Sequence, residues 1–240
     1  MYGMVVIFII GLSLVKACRM KLNTMKPFLS EDDRIMLENR IAEAEKLTGS
    51  QIVIATVKRS DSYLEIPWKA FALCASFTGL LVFSLDLILF SWIQDIIVLT
   101  SVVITLAVAS LATLCTVLSP GFARLFLSHN RTETEVKQYA ESLFLSRELF
   151  STSQRTGMLL LISHFERKVI ILPDKGLSEN ISEEDLKKII SQMKDPLTHN
   201  DIRKAIEIAL DEFIRIIKLL PSVDGRSDEL SNKIIEEKGL

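Results

Sequence analysis

Three histidines, His129, His164 and His199, stand far apart in a chain of 240 residues, and no pair has the spacing of a zinc site. The HExxH pattern, which sets two imidazoles one helical turn apart, is absent. So are GxSxG, GxxxxGK and GxGxxG, which leaves serine hydrolysis, phosphate cradling and dinucleotide binding without their anchors. What remains is carboxylates and guanidinium groups. Glu183-Glu184-Asp185 offers three acids in a row, as a hard cation would want. The same three open a helix, where the dipole favours acids by ~0.3–1 kcal/mol, and that explanation suffices. Asp174-Lys175-Gly176 is a turn that aspartate makes through side-chain-to-backbone bonds. Arg155 and Arg167 are either anion ligands or solvated charges at strand ends. Asp86 lies within an apolar run. Acids inside a membrane are costly and often mark an ion path or a partner helix, yet Trp92 is within two helical turns and interfacial placement accounts for it equally.

The elements around these residues divide into two kinds. Trp68 to Leu118 holds two long apolar runs, about 69–90 and 96–118, joined by Ser91–Asp95. Each meets the ~20 residues needed to cross a ~30 Å hydrocarbon layer. The second run has no charge at all and breaks its aliphatic sequence only with Ser, Thr and Cys, which helix contacts in lipid tolerate. Trp68 and Trp92 bracket the first, as aromatic residues do at membrane interfaces. A core helix of a soluble protein would show a polar stripe. The runs therefore predict a transmembrane helical hairpin.

On either side lie amphipathic elements. Ser30-Glu31-Asp32-Asp33 reads as a capping box before Leu37, Ile41, Ala44 and Leu47, and Gly49 suits a left-handed helix end. Gln51–Lys58 is β-branched and apolar on both faces, which predicts a central strand. Arg131–Phe150 predicts a helix, Met158–Ser163 and Arg167–Leu172 a β-hairpin. Ser182-x-x-Asp185 opens a helix that Pro196 should stop. A last helix carries Ile202, Ile206, Ala209, Phe213, Ile216, Ile217 and Leu220 to Pro221. Residues 222–240 are polar and predict a loose tail. One soluble domain follows, residues 27–60 joined in space to 131–221, since the first piece offers only one helix and one strand and is below the ~40 residues that fold unaided. An even number of spans keeps both pieces on one side.

Residues 1–26 form an apolar and basic extension. Met4–Val15 is too short to span, and it lacks the preceding basic residues of a secretory signal. The net charge of −2 gives no support for nucleic-acid binding. Cys18, Cys74 and Cys115 show no metal-type pairing or disulfide framework, so the core must hold the soluble part.

Arg155-Thr156-Gly157-Met158-Leu159-Leu160-Leu161-Ile162-Ser163, with Phe165-Glu166-Arg167-Lys168-Val169 and on through Asp174 and Gly176-Leu177, resembles the TPM domain. Thr48-Gly49-Ser50-Gln51-Ile52-Val53-Ile54 resembles that family's first strand, although a glutamate is usual where Gln51 stands. The nearest resemblance is to bacterial members with a transmembrane pair inserted after that strand. It implies a compact α/β sandwich, a small sheet covered by helices, interrupted here by the hairpin. Relatives are described variously as acid phosphatases, calcium-binding proteins, or accessory factors of membrane complexes. The resemblance also marks Asp174, where the family has a similar acid. Calcium would want further oxygens there, with Asp32 and Asp33 as contributors, while turn chemistry alone also accounts for Asp174.

No nucleophile–base pair is evident. The expected function is therefore a non-enzymatic accessory or scaffold module, with the bilayer and another membrane protein, or a second copy, as partners. The alternative is a phosphatase-like hydrolase in which a divalent ion at the acidic turn activates water. Lys58, Arg59, Lys69, Arg124, Arg131 and Lys137 flank the outer ends of the spans, and Ser91–Asp95 has no basic residue. That asymmetry predicts a multi-pass inner-membrane protein with its soluble domain in the cytoplasm.

Overall fold

The computed structural model describes residues 29–89, 94–152, 154–218 and 234–239. The expectations for Met4–Val15, Cys18 and the basic residues up to Lys26 lie outside these residues. So do those for 90–93 at the hairpin tip, for 219–233, and for the side chain of Asp86. Ser62–His129 forms one compact unit, and Lys26–Asp61 with Asn130–Leu240 a second.

The second unit is α/β, as the sequence predicts, with a four-stranded mixed sheet of β1 (Gln51–Arg59), β2 (Gly157–Ser163), β3 (Lys168–Pro173) and β4 (Ile235–Gly239) in the order β3-β2-β1-β4. Helix α1 (Glu31–Thr48) starts at Ser30, whose hydroxyl oxygen accepts from the Asp33 amide, and ends at Gly49 with φ 67°. That left-handed residue lets the Gly49 amide donate to the Glu45 carbonyl and turns the chain into β1 (Gln51–Arg59). The connection from β1 contains the whole other unit. It returns through α5 (His129–Ser146) to β2 (Gly157–Ser163), which runs parallel to β1 with Gln51 facing Gly157. A parallel pair needs such a crossover. Strand β2 then folds back on β3 (Lys168–Pro173) as an antiparallel hairpin.

Helices α7 (Glu183–Thr198) and α8 (Ile202–Lys218) pack on each other, and α8 also packs on α1. Ile52, Ile54, Met158, Leu160 and Ile162 face these three helices, around a fully buried Phe213. Val53, Ala55, Val57, Leu159 and Leu161 face the other way, onto Val136, Ala140 and Leu143 of α5 and onto Leu149 beyond it. The alternation of a strand, one residue to each face, sorts one apolar sequence into two cores.

Three local expectations need correction. Pro196 does not stop α7, which runs to Thr198; proline falls in the last turn and removes only one N–H bond. Asp174-Lys175-Gly176 is not a free turn but the start of a short helix, α6 (Lys175–Ser178). Within the expected loose tail, Ile235–Gly239 forms strand β4, parallel to β1 along its open edge.

The first unit contains α2 (Glu65–Leu89), α3 (Gln94–Leu118) and the short α4 (Pro120–Arg124). Helices α2 and α3 pack together. Glu65–Leu85 and Leu99–Leu118 are each long and apolar enough to cross a membrane. Ser119 caps α4 with Pro120 at its first position, so the second apolar helix ends where the sequence predicts.

Candidate functional site

At the entry end of β2, Asp174 is buried with 5% of its surface exposed. It caps α6: its Oδ1 accepts from the Lys175 amide at 2.8 Å and from Arg155 Nη2 at 3.0 Å. Arg155 Nε lies 2.9 Å from the other carboxylate oxygen. Its guanidinium group is half exposed and stands 5.8 Å from the centre of the Phe150 ring. Gly176 seals the arrangement. A Cβ there would meet the Gln154 carbonyl oxygen at 2.4 Å, so only glycine lets α6 lie on that loop. Both oxygens of Asp174 thus face Arg155, and a cation would have to displace a guanidinium group to reach them.

Asp32 is exposed in the first turn of α1. Asp33 accepts from the Ser30 hydroxyl at 2.6 Å and from Arg203 Nη1 at 3.1 Å. The Ser30 bond, followed by Arg203, holds the Asp33 carboxyl below its ordinary pKa. Among the described residues, no three His, Cys, Asp or Glu side chains come together as a metal site, so Asp174, Asp32 and Asp33 do not form one. Glu183-Glu184-Asp185 occupies the first turn of α7, where Ser182 and Asp185 complete a capping box. Bonds from Ser182 depress the Asp185 pKa. His129 begins α5, His164 follows β2, and His199 caps α7 with Nδ1 3.0 Å from the Asp195 carbonyl. Arg167 adopts φ 53° in the β2–β3 turn.

A second polar cluster lies at the exit end of β2. Glu166 is buried and accepts from the Ser60 amide at 2.9 Å and, through a short bond, from the Ser163 hydroxyl. Ser60 Oγ donates to Ser163 Oγ at 3.2 Å. Beside them, Arg59 sits 4.1 Å from the centre of the Phe165 ring. The hydroxyl relay ends on Glu166, and both serines are almost wholly buried, so no substrate reaches either. The cluster clamps the last residues of β1 to the β2–β3 turn. Asp61 next to it pairs with Arg131 at 3.2 Å, so the residues flanking the inserted helices are tied together. Sequence reading missed Glu166 because its partner Ser60 is 106 positions away.

Residues 123–216 match the family model of the TPM domain. The match begins beyond both apolar helices, so the resemblance at Thr48–Ile54 falls outside it. The fold is similar to the solution structure of BA42 protein from the psychrophilic bacterium Bizionia argentinensis. The TM-score is 0.53 at 14% identity, over 89% of this chain and 98% of that one. No curated protein matches the sequence.

Proposed function

We propose that this TPM-domain chain is anchored in the inner membrane by α2 and α3, and that its α/β unit assists another membrane protein by contact rather than catalysis. One observation carries the anchoring: within each candidate span only 11% of the residues are buried. Phe77, Phe83, Leu99 and Leu111 stand exposed on these helices, a surface water disfavours and a bilayer covers. Two hydroxyls on the same helices bond to the backbone of their own helix. Ser84 donates to the Leu80 carbonyl at 2.8 Å and Thr113 to the Ala109 carbonyl at 2.9 Å, which satisfies both hydroxyl donors without water. The basic residues at the outer ends of the spans favour a cytoplasmic α/β unit.

The contact role is supported by how the charged groups are used. Asp174 is engaged by Arg155, Asp33 by Arg203, and the Ser60–Ser163 relay closes on Glu166. Carbonate-washed membranes should retain the full chain, and replacing residues 68–127 by a short flexible linker should release a cooperatively folding soluble domain. Full extraction of the intact chain by carbonate overturns the anchoring. A carboxy-terminal fluorescent-protein fusion should be bright and an alkaline-phosphatase fusion inactive; the reverse places the domain outside. Turnover of an aryl phosphate with calcium or magnesium, lost in Asp174→Asn, would overturn the contact reading in favour of a hydrolase.

A further inference from the structure

Strand β1 has unlike neighbours. On one side is β2, buried along its whole length. On the other is β4, short and polar, paired through Ala55 with Ile235, Thr56 with Glu236, Val57 with Glu237 and Arg59 with Gly239. Ile234, just before β4, is buried in the core around Phe213, and Ile235 packs on the opposite face beside Tyr139. The Glu237 carboxylate is held at both oxygens: the Tyr139 hydroxyl donates to Oε2 at 2.6 Å, and Arg147 Nη2 donates to Oε1 at 3.0 Å. Tyr139, Arg147, Ser142 and Ser146 line a cleft of about 330 Å³ against this strand. Burial, and then the bond to Glu237, push the Tyr139 phenol above its ordinary pKa, so it remains a donor. At Gly239, with φ 73°, a Cβ would stand 1.4 Å from the Arg59 carbonyl oxygen, so the two backbones meet with no room for a side chain.

The edge therefore recognises an extended chain in two ways: by backbone along β1, and by a carboxylate at one fixed position. That is the pattern of strand addition, in which the ladder supplies affinity and alternate side chains supply specificity. An open edge on a strand apolar on both faces invites association, and proteins cover such edges. Here the cover is the chain's own Ile235–Gly239.

We propose that the β1 edge, with Tyr139 and Arg147, is a strand-addition site for an extended segment of a partner protein. That segment carries an apolar residue and, two positions later, a carboxylate, and the C-terminal strand is its displaceable occupant. A second copy is the weaker competitor. It brings the same tail without the tether that raises the local strand's effective concentration to the millimolar range. A partner displaces the tail by offering an apolar residue where β4 has Glu236 while keeping glycine where β4 has Gly239, since no side chain fits against the Arg59 carbonyl. The inference rests on the α/β unit alone and stands apart from the membrane anchoring.

The test uses the detergent-solubilised full chain and a fluorescent peptide of residues 232–240. In Glu237→Ala/Gly239→Val the tail loses its carboxylate and meets the Arg59 backbone. This variant should take up the peptide saturably and at least about tenfold tighter than the wild type. Glu237→Gln within the peptide should weaken binding at least about tenfold. Equal uptake by variant and wild type, or no loss with the altered peptide, overturns the site. The wild type gives an independent reading by hydrogen exchange. Amides of Ile235–Gly239 should exchange at least about tenfold faster than those of Leu159–Ile162, through local opening. Equal protection shows that the strand does not leave and also overturns the proposal. A concentration-dependent wild-type dimer that is lost in the variant assigns the edge to a second copy instead.

Discussion

The two ends of β2 each hold a buried carboxylate, and they satisfy it by different means. At the entry, Asp174 is met by a guanidinium group that is half in water. At the exit, Glu166 is met by one backbone amide and one hydroxyl, both buried, with no cation in the bonds described. The difference separates exchangeable from fixed. Arg155 can turn to solvent, while Asp174 stays buried and keeps the Lys175 amide. The donors around Glu166 have no water to turn to, and a buried donor left unmade costs ~1–3 kcal/mol. The entry end is therefore where a ligand could compete, and the exit end is where the chain is locked before it departs for α2.

The sharpest way to break this contrast is Glu166→Ala. It strands the Ser60 amide and the Ser163 hydroxyl and should cost about 2–5 kcal/mol, read from the urea midpoint at constant slope. Glu166→Gln keeps an acceptor and should recover more than half of the loss. A smaller penalty is expected for Gly176→Ala, about 1–3 kcal/mol, because the new methyl must push against the Gln154 backbone. Asp174→Asn retains a capping oxygen and gives up only the half-exposed pair, so it should cost no more than about 1 kcal/mol. If it costs as much as Glu166→Ala, the entry end is as fixed as the exit.

Glu212 provides a third carboxylate for comparison. The bond from Arg215, ahead of that from Lys188, lowers its pKa from 4.5 to about 2. A depressed acid stabilises the folded state above its ordinary pKa, and that contribution fades as pH falls from 4.5 towards 2. Glu212→Gln should flatten the part of the acid-unfolding profile that falls in this window, and an unchanged profile would show that the pair adds nothing. The smallest effect is reserved for calcium. With Asp174 already paired, millimolar calcium should leave the melting temperature unchanged. A saturable rise that vanishes in Asp174→Asn would mean that the ion displaces Arg155.

Much of the frame was legible because it depends on neighbours in sequence. Ser30 and Gly49 bound α1, Ser182 and Asp185 cap α7, and the doubly apolar 51–58 stretch announces a strand with partners on both sides. What escaped depends on distance along the chain. Strand β4 reads as polar tail because an edge strand with two glutamates has no apolar alternation to betray it, and its acid is satisfied by Tyr139 of α5 and by Arg147 just beyond that helix. Glu166 resembles any acid in a hairpin loop until folding brings Ser60 beside it. Asp174 was legible as a turn former, but Arg155 as its partner was not, since the pairing needs the loop before β2 to curl back with Arg155 itself at φ 56°.

The parallel pairing of β1 with β2 also sets a timetable. Gln51 leaves the ribosome long before Gly157, the residue it will face. At ~5–20 residues per second, roughly a hundred intervening residues impose a wait of ~5–20 s. Throughout that interval both apolar helices are being synthesised while β1 has no β2 to pair with. The order of translation therefore delivers both apolar helices first and completes the sheet afterwards. A nascent chain stalled before Gly157 would hold two finished apolar helices and an unfinished sheet.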